Sequence, residues 1–212
     1  MDSLSGLRKE YRANMLDENL MSDDPITQFN IWITDAMNAR FVEPNVMTLA
    51  TSTPDGKPSA RIVLLKEINP AGFVFFTNYN SRKGCDLIAN SFAALVFDWH
   101  EIERQVRVEG RVEKLSVEDS DAYFDSRPET SKLGAWVSPQ SSLLKNRQEL
   151  DEIQSEMENK FRNNSIPRPE HWGGFLVRPT TIEFWQGRPN RLHDRIVYYK
   201  TEEGWTKHRL AP

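Results

Sequence analysis

The chain contains a single cysteine, Cys85, among 212 residues. One thiol excludes an internal disulfide and any zinc or iron-sulfur site built from several cysteines. We read Cys85 as a small, partly buried apolar residue. Only four histidines are present, His100, His171, His193 and His208, and no two fall at i, i+4. Metal chemistry is therefore not expected. No apolar run approaches the roughly 18 residues needed to cross a bilayer, and the opening MDSLSGLRKEY lacks the apolar core of a secretory signal. The expectation is a cytoplasmic protein without a membrane partner. The formal charge of -4 gives no field that would attract nucleic acid, so any anion site must be assembled locally. The dinucleotide glycine fingerprint, the P-loop, the nucleophile elbow and the H-E-x-x-H zinc motif are all missing.

Apolar residues make up 38% of the chain and charged residues 27%, a globular balance. Residues 1–22 are polar and read as an arm ahead of a single domain over 23–212. Asp24-Pro25 starts a helix whose apolar positions are Phe29, Trp32, Ala36 and Met37. Strands are expected at 46–52, 59–66, 73–77, 92–99, 105–115, 174–177, 181–185, 196–200 and 204–210, with helices near 81–89, 117–126 and 144–161. In the strand from Gln105, Val106, Val108 and Val112 share the core face. Many strands joined by short turns, with a few helices between them, give a mainly β (α+β) barrel.

Cationic residues beside hydroxyl and amide side chains recur at expected strand ends: Arg61–Lys66, Thr77–Lys83 and Arg188–Arg195. A phosphomonoester needs such donors gathered around it. The last cluster puts three arginines, a histidine and an aspartate in eight residues just after Trp185-Gln186-Gly187, with His193 between Arg191 and Arg195 in a positive field.

The segments RIVLLK (61–66), TNYNSRKG (77–84), ERQVRVEG (103–110), YFDSRP (123–128), GAWVSPQSS (134–142) and FWQGRPNRLHDR (184–195) resemble the pyridoxine (pyridoxamine) 5'-phosphate oxidases, in order and over nearly the whole chain. The resemblance implies a split β-barrel that binds flavin mononucleotide (FMN) and a homodimer whose two subunits build each flavin site. It also implies oxidation of pyridoxamine or pyridoxine 5'-phosphate by O2 to pyridoxal 5'-phosphate and hydrogen peroxide. Carried over by position, the FMN contacts are Arg61, Ile62, Val63, Leu64, Leu65, Lys66, Phe76, Thr77, Arg82, Lys83, Gln105, Gln140, Ser141, Trp185 and Arg195. Lys66, Tyr123, Arg127 and Ser131 would hold the substrate phosphate, and Arg191, Leu192 and His193 would line the reacting end, with Arg191 and His193 as catalytic candidates. Arg8, Lys9, Glu10 and Tyr11 would fold over bound substrate. Phe76 stands where the family often has tyrosine, and Ile196 where it often has an aromatic residue. Arg61 and Lys66, five apart, face opposite sides of a regular strand, so a bulge or a reach from the strand end is needed if both serve one ligand. A flavin reductase on the same fold and a non-catalytic carrier of FMN or pyridoxal phosphate are the alternatives.

Overall fold

The computed structural model describes residues 10–12 and 14–212. After Asp24, helix α1 runs from Pro25 to Asn38, with Asp24 accepting from the backbone amides of Ile26 and Thr27 and Pro25 at the first helical turn, where a missing N–H costs nothing. Strands β1 (Val46–Ser52), β2 (Pro58–Leu64), β3 (Glu67–Asn69) and β4 (Gly72–Asn78) follow. Then come α2 (Arg82–Ala89), β5 (Phe92–Trp99), β6 (Arg104–Lys114), three helices α3 (Val117–Asp125), α4 (Glu129–Val137) and α5 (Arg147–Phe161), and β7 (Trp172–Gln186), β8 (Asp194–Thr201) and β9 (Gly204–Leu210). All pairings are antiparallel, in the order β2-β1-β5-β6-β7-β4-β3, with β8 on β7 and β9 on β8.

The sheet curls around α1. Phe29 packs edge-on against Phe73 of β4 and Phe97 of β5 at 4.9 and 4.8 Å between centroids, although those strands are separated by β6 and β7 in the sheet. Trp32 meets Phe184 of β7 at 5.0 Å. A single helix can touch all three only if the strands wrap it, and this gives the half-barrel. Val106, Val108 and Val112 lie in the core as the alternation predicts. Met37 does not: it is 55% exposed, and Ile33 takes its place on the buried face. Leu16 and Met21 join the same core, Tyr198 donates to the Ser22 carbonyl, and Lys207 binds the Met21 carbonyl, so the segment before α1 is sewn to β8 and β9.

Two expected elements differ. The strands expected at 174–177 and 181–185 are one 15-residue strand, β7, whose first half lies between β4 and β6 and whose second half lies between β6 and β8. The register shifts opposite Glu109 and Gly110, where Gly110 pairs with Pro179 and Glu109 with Thr181, leaving Thr180 as an extra residue. Arg178-Pro179-Thr180 looks like a break in sequence and is a bulge in space. Helix α4 was not expected, because Gly134 and the short 129–137 span carry no clear 3.6-residue stripe.

The bulge depends on the absence of a side chain at Gly110, where a Cβ would stand 2.1 Å from the Arg178 carbonyl oxygen. Gly110→Ala is expected to cost roughly 1–3 kcal/mol, the usual range for forced overpacking. Urea unfolding monitored by tryptophan fluorescence measures it; stability equal to the parent protein would show that the bulge relaxes freely.

Candidate functional site

A cleft of about 600 Å³ opens beside the start of β7, between β2, β4 and the helices α2 to α4. Its cationic wall is made locally. The hydroxyl of Ser81 caps α2 by accepting from the Gly84 amide and donates to the Asn78 carbonyl at 2.6 Å, which closes the β4–α2 turn. The same turn aims Lys83 at Thr77 Oγ1 (3.2 Å), Ser81 Oγ (3.3 Å) and Gln140 Oε1 (2.8 Å). All three acceptors are neutral. Burial, and then the charge of Arg61, holds the Lys83 ammonium below its ordinary pKa, so an anion would relieve both penalties. The Arg82 amide donates to the hydroxyl of Ser141, a residue in the left-handed region at φ 74°.

The aromatic wall comes from α3 and β7. Tyr123 stacks on Phe76 at 3.7 Å and 11°, and Trp172 lies parallel to both. Burial pushes the Tyr123 phenol above its usual pKa. The Arg127 guanidinium sits 4.4 Å over the Trp172 ring and 5.4 Å from Phe124. Its Nη1 is buried without a hydrogen-bond partner, and burial lowers its pKa. A donor buried in this way is costly until an acceptor arrives. Ser131 and Lys66 line the same cleft.

The second cluster lies at the other end of β7. Gln105 of β6, Trp185 of β7 and Arg195 of β8 are directly paired, so they form one row across three strands. His193 packs on Trp185 at 4.6 Å, and Tyr11 meets Trp185 and His193 edge-on at 5.7 and 5.6 Å. The Arg12 amide donates to Glu103 Oε2 at 2.8 Å and fixes the approach of this segment. His193 Nδ1 accepts from the Arg188 amide at 3.1 Å, so in the neutral ring the proton is on Nε2. Partial burial and the charge of Arg191 lower the His193 pKa. Asn190 and Arg191 are consecutive left-handed residues, at φ 58° and 62°, which costs on the order of 1–2 kcal/mol per residue and bends the loop back towards the row. A cavity of about 330 Å³ is lined by Tyr11, His100, Gln105 and Trp185.

The predicted residues therefore fall into two groups. Ile62, Val63, Leu64, Lys66, Phe76, Thr77, Lys83, Tyr123, Arg127, Ser131 and Gln140 meet in the first cleft. Trp185, Gln105, His193, Arg195 and Tyr11 meet at the second. At an extended rise of 3.3 Å per residue, Trp172 and Trp185 are roughly 40 Å apart along β7. Arg61 and Leu65 do not line the cleft: Arg61 turns to Thr51 Oγ1 (2.8 Å) and lies 3.9 Å from Asp86, and Leu65 is in the core. Lys66 reaches the cleft from beyond the end of β2, tied by its amide to the Val74 carbonyl. Leu192 is 66% exposed and Arg191 is exposed. Glu10 is exposed and paired with Arg12, while Arg8 and Lys9 lie outside the described residues. Cys85 is exposed rather than partly buried, with Sγ near the Tyr79 and Asn80 carbonyls. Sequence reasoning missed Trp172; its only signal was an aromatic residue beside two glycines where β7 begins.

Comparison with known proteins gives a consistent picture. The family profile described as pyridoxamine 5'-phosphate oxidase matches residues 33–156, and that of the pyridoxine 5'-phosphate oxidase C-terminal dimerisation region matches 172–212. The pyridoxine/pyridoxamine 5'-phosphate oxidase of Thermosynechococcus vestitus is 55% identical over 212 residues, all of both chains, and that of Salinibacter ruber is 52% identical over 215 residues, again all of both. Among solved structures, PhzG from Burkholderia lata in complex with tetrahydrophenazine-1-carboxylic acid superposes with a TM-score of 0.88 at 29% identity, covering 94% of this chain and 99% of that one. An FMN-binding protein from Nostoc punctiforme shares the fold at a TM-score of 0.69 and 16% identity, covering 91% and 100%.

The unpartnered Arg127 donor makes a stability prediction. Leaving it buried costs roughly 1–3 kcal/mol, offset in part by about 0.5–2 kcal/mol from its seat on Trp172. Arg127→Met should melt at or above the parent temperature in a thermal-denaturation scan of the ligand-free protein. A Tm several degrees lower would mean that the guanidinium is a net structural contributor.

Proposed function

The chain belongs to the pyridoxamine 5'-phosphate oxidase family, and from that premise we propose how its two clusters divide the reaction. The activity is the FMN-dependent oxidation of pyridoxamine or pyridoxine 5'-phosphate to pyridoxal 5'-phosphate. We assign the first cleft to the two phosphates. Lys83, the α2 turn and Ser141 would hold the FMN phosphate, while Arg127, Lys66, Ser131 and Tyr123 would hold that of the substrate. The observation that carries this reading is the buried Arg127 Nη1, a charged donor lacking an acceptor in a cleft that already holds a second cation without a carboxylate partner. The donor set fits a phosphomonoester.

Bound FMN would supply the two-electron acceptor for oxidation at the carbon that bears the amine or alcohol, and O2 would be the final acceptor. The chain's own residues position and protect. Phosphate anchoring on Arg127 would fix one end of the substrate, and the stacked rings of Phe76 and Tyr123 with the parallel Trp172 would give the cleft an apolar side. His193, neutral and carrying its proton on Nε2, would orient the reacting group and move a proton, with Arg191 beside it. Glu10 and Tyr11, with Arg8 and Lys9, would cover the substrate, and Tyr11 supports this by packing on His193.

The two clusters sit at opposite ends of β7, and we infer a homodimer in which the second cluster of one subunit completes the first cleft of the other. The match of 172–212 to a dimerisation region supports it. We place the enzyme in the cytoplasm, where charged phosphate esters are retained, and we take 23–212 as one catalytic domain. Among the described residues no helix is long and apolar enough to cross a membrane.

Purified protein supplied with pyridoxamine 5'-phosphate in air should form pyridoxal phosphate and peroxide in equal amounts; absence of both would refute the assignment. Arg127→Ala should raise KM by roughly 10- to 150-fold, the worth of one charge-assisted donor, with FMN content unchanged. An unchanged KM would remove Arg127 from the site. Sedimentation should give twice the 24.6 kDa chain mass, and a monomer at micromolar concentration would contradict the shared site.

A further inference from the structure

Behind the row formed by Gln105, Trp185 and Arg195 lies a carboxylate to which the family resemblance gives no role. Glu183 precedes Trp185 by two residues on β7 and so shares its face. It is 7% exposed. Its Oε1 accepts from Arg195 Nε at 2.8 Å and its Oε2 from Arg195 Nη2 at 3.1 Å, a side-on bidentate pair. The remaining nitrogen, Arg195 Nη1, donates to the Ala211 carbonyl at 2.9 Å. On the other flank, Arg107 of β6, directly opposite Glu183, approaches Oε2 at 3.5 Å. Every nitrogen of the Arg195 side chain thus has an acceptor, and two of the three belong to Glu183.

We propose that Glu183 is the positioning residue of the flavin site, holding the plane of the Arg195 guanidinium fixed so that its outward N–H groups are presented to FMN in one orientation. The proposal rests on the reading of Arg195 as an FMN contact. Two parallel N–H···O bonds restrain both the rotation and the swing of a guanidinium, which a single bond to the Ala211 carbonyl does not. Arg107, at 3.5 Å from Oε2, adds only a longer contact and does not set the orientation of Arg195. With Glu183 neutralised, Arg195 remains in place but samples several orientations, and FMN must order it on binding.

A double-mutant cycle on the full-length protein tests this, with FMN affinity read from fluorescence quenching and folding checked by Tm. Glu183→Gln keeps the shape and removes the charge; it should raise the Kd for FMN roughly tenfold, the order seen when an outer partner of a ligating side chain is lost. Arg195→Ala should weaken FMN at least as much, and adding Glu183→Gln to it should change Kd by less than about twofold, because the carboxylate acts only through the arginine. Arg107→Ala should leave Kd near that of the parent protein. The proposal is overturned if Glu183→Gln binds FMN like the parent, if its loss persists in full in the Arg195→Ala background, or if Arg107→Ala matches it. If Arg195→Ala alone leaves Kd unchanged, the assignment of Arg195 to FMN is what has failed, and the role of Glu183 fails with it.

Discussion

The pairing of β7 with three partners governs this molecule. A regular 15-residue strand has only two edges, and β4, β6 and β8 all bond to it because the edge opposite β6 changes partner midway, from β4 to β8. That exchange requires the extra residue at Thr180 and the bare backbone at Gly110. The bend turns the first half of the strand towards α3 and α4 and the second towards β8, β9 and the segment before α1. Each cluster of chemical groups is attached to one of those halves.

Three cations at these clusters illustrate three ways of keeping a charge near a protein interior. Arg195 has a buried carboxylate in bidentate contact, which raises its pKa, and so it is fixed in advance. Lys83 has only neutral oxygens, which hold it without cancelling its charge. Arg127 has ring faces and one bare nitrogen. The order follows the electrostatic work left for a ligand: least at Arg195, most at Arg127. An acidic protein of net charge -4 can hold phosphate because carboxylates are kept away from the latter two.

Much of the strand pattern was legible because Val106, Val108 and Val112 alternate with charged residues, and because Asp24-Pro25 marks a helix start by its own hydrogen bonds. What failed to show was tertiary in origin. Nothing in Arg178-Pro179-Thr180 says that the chain continues as strand, since the bulge is stabilised by β6. Met37 fits the helical spacing, yet the curl of the sheet leaves it in solvent. The candidate site residues were proposed through resemblance to a family, while their separation into two groups was not readable, because linear motifs carry no distance. Trp172 and Glu183 stayed invisible for a related reason: each meets an arginine outside its own strand, one by a ring face and the other by a carboxylate.

The division of β7 has a genetic consequence. On the shared-site arrangement, a chain defective at the first half and a chain defective at the second can assemble into a mixed dimer. In that dimer one site collects both lesions and the other collects none. Two inactive alleles would then complement each other to half of full activity per dimer, whereas two alleles damaged in the same half would not. Inheritance of defects in such an enzyme would follow the bend in a strand rather than the order of residues along the gene.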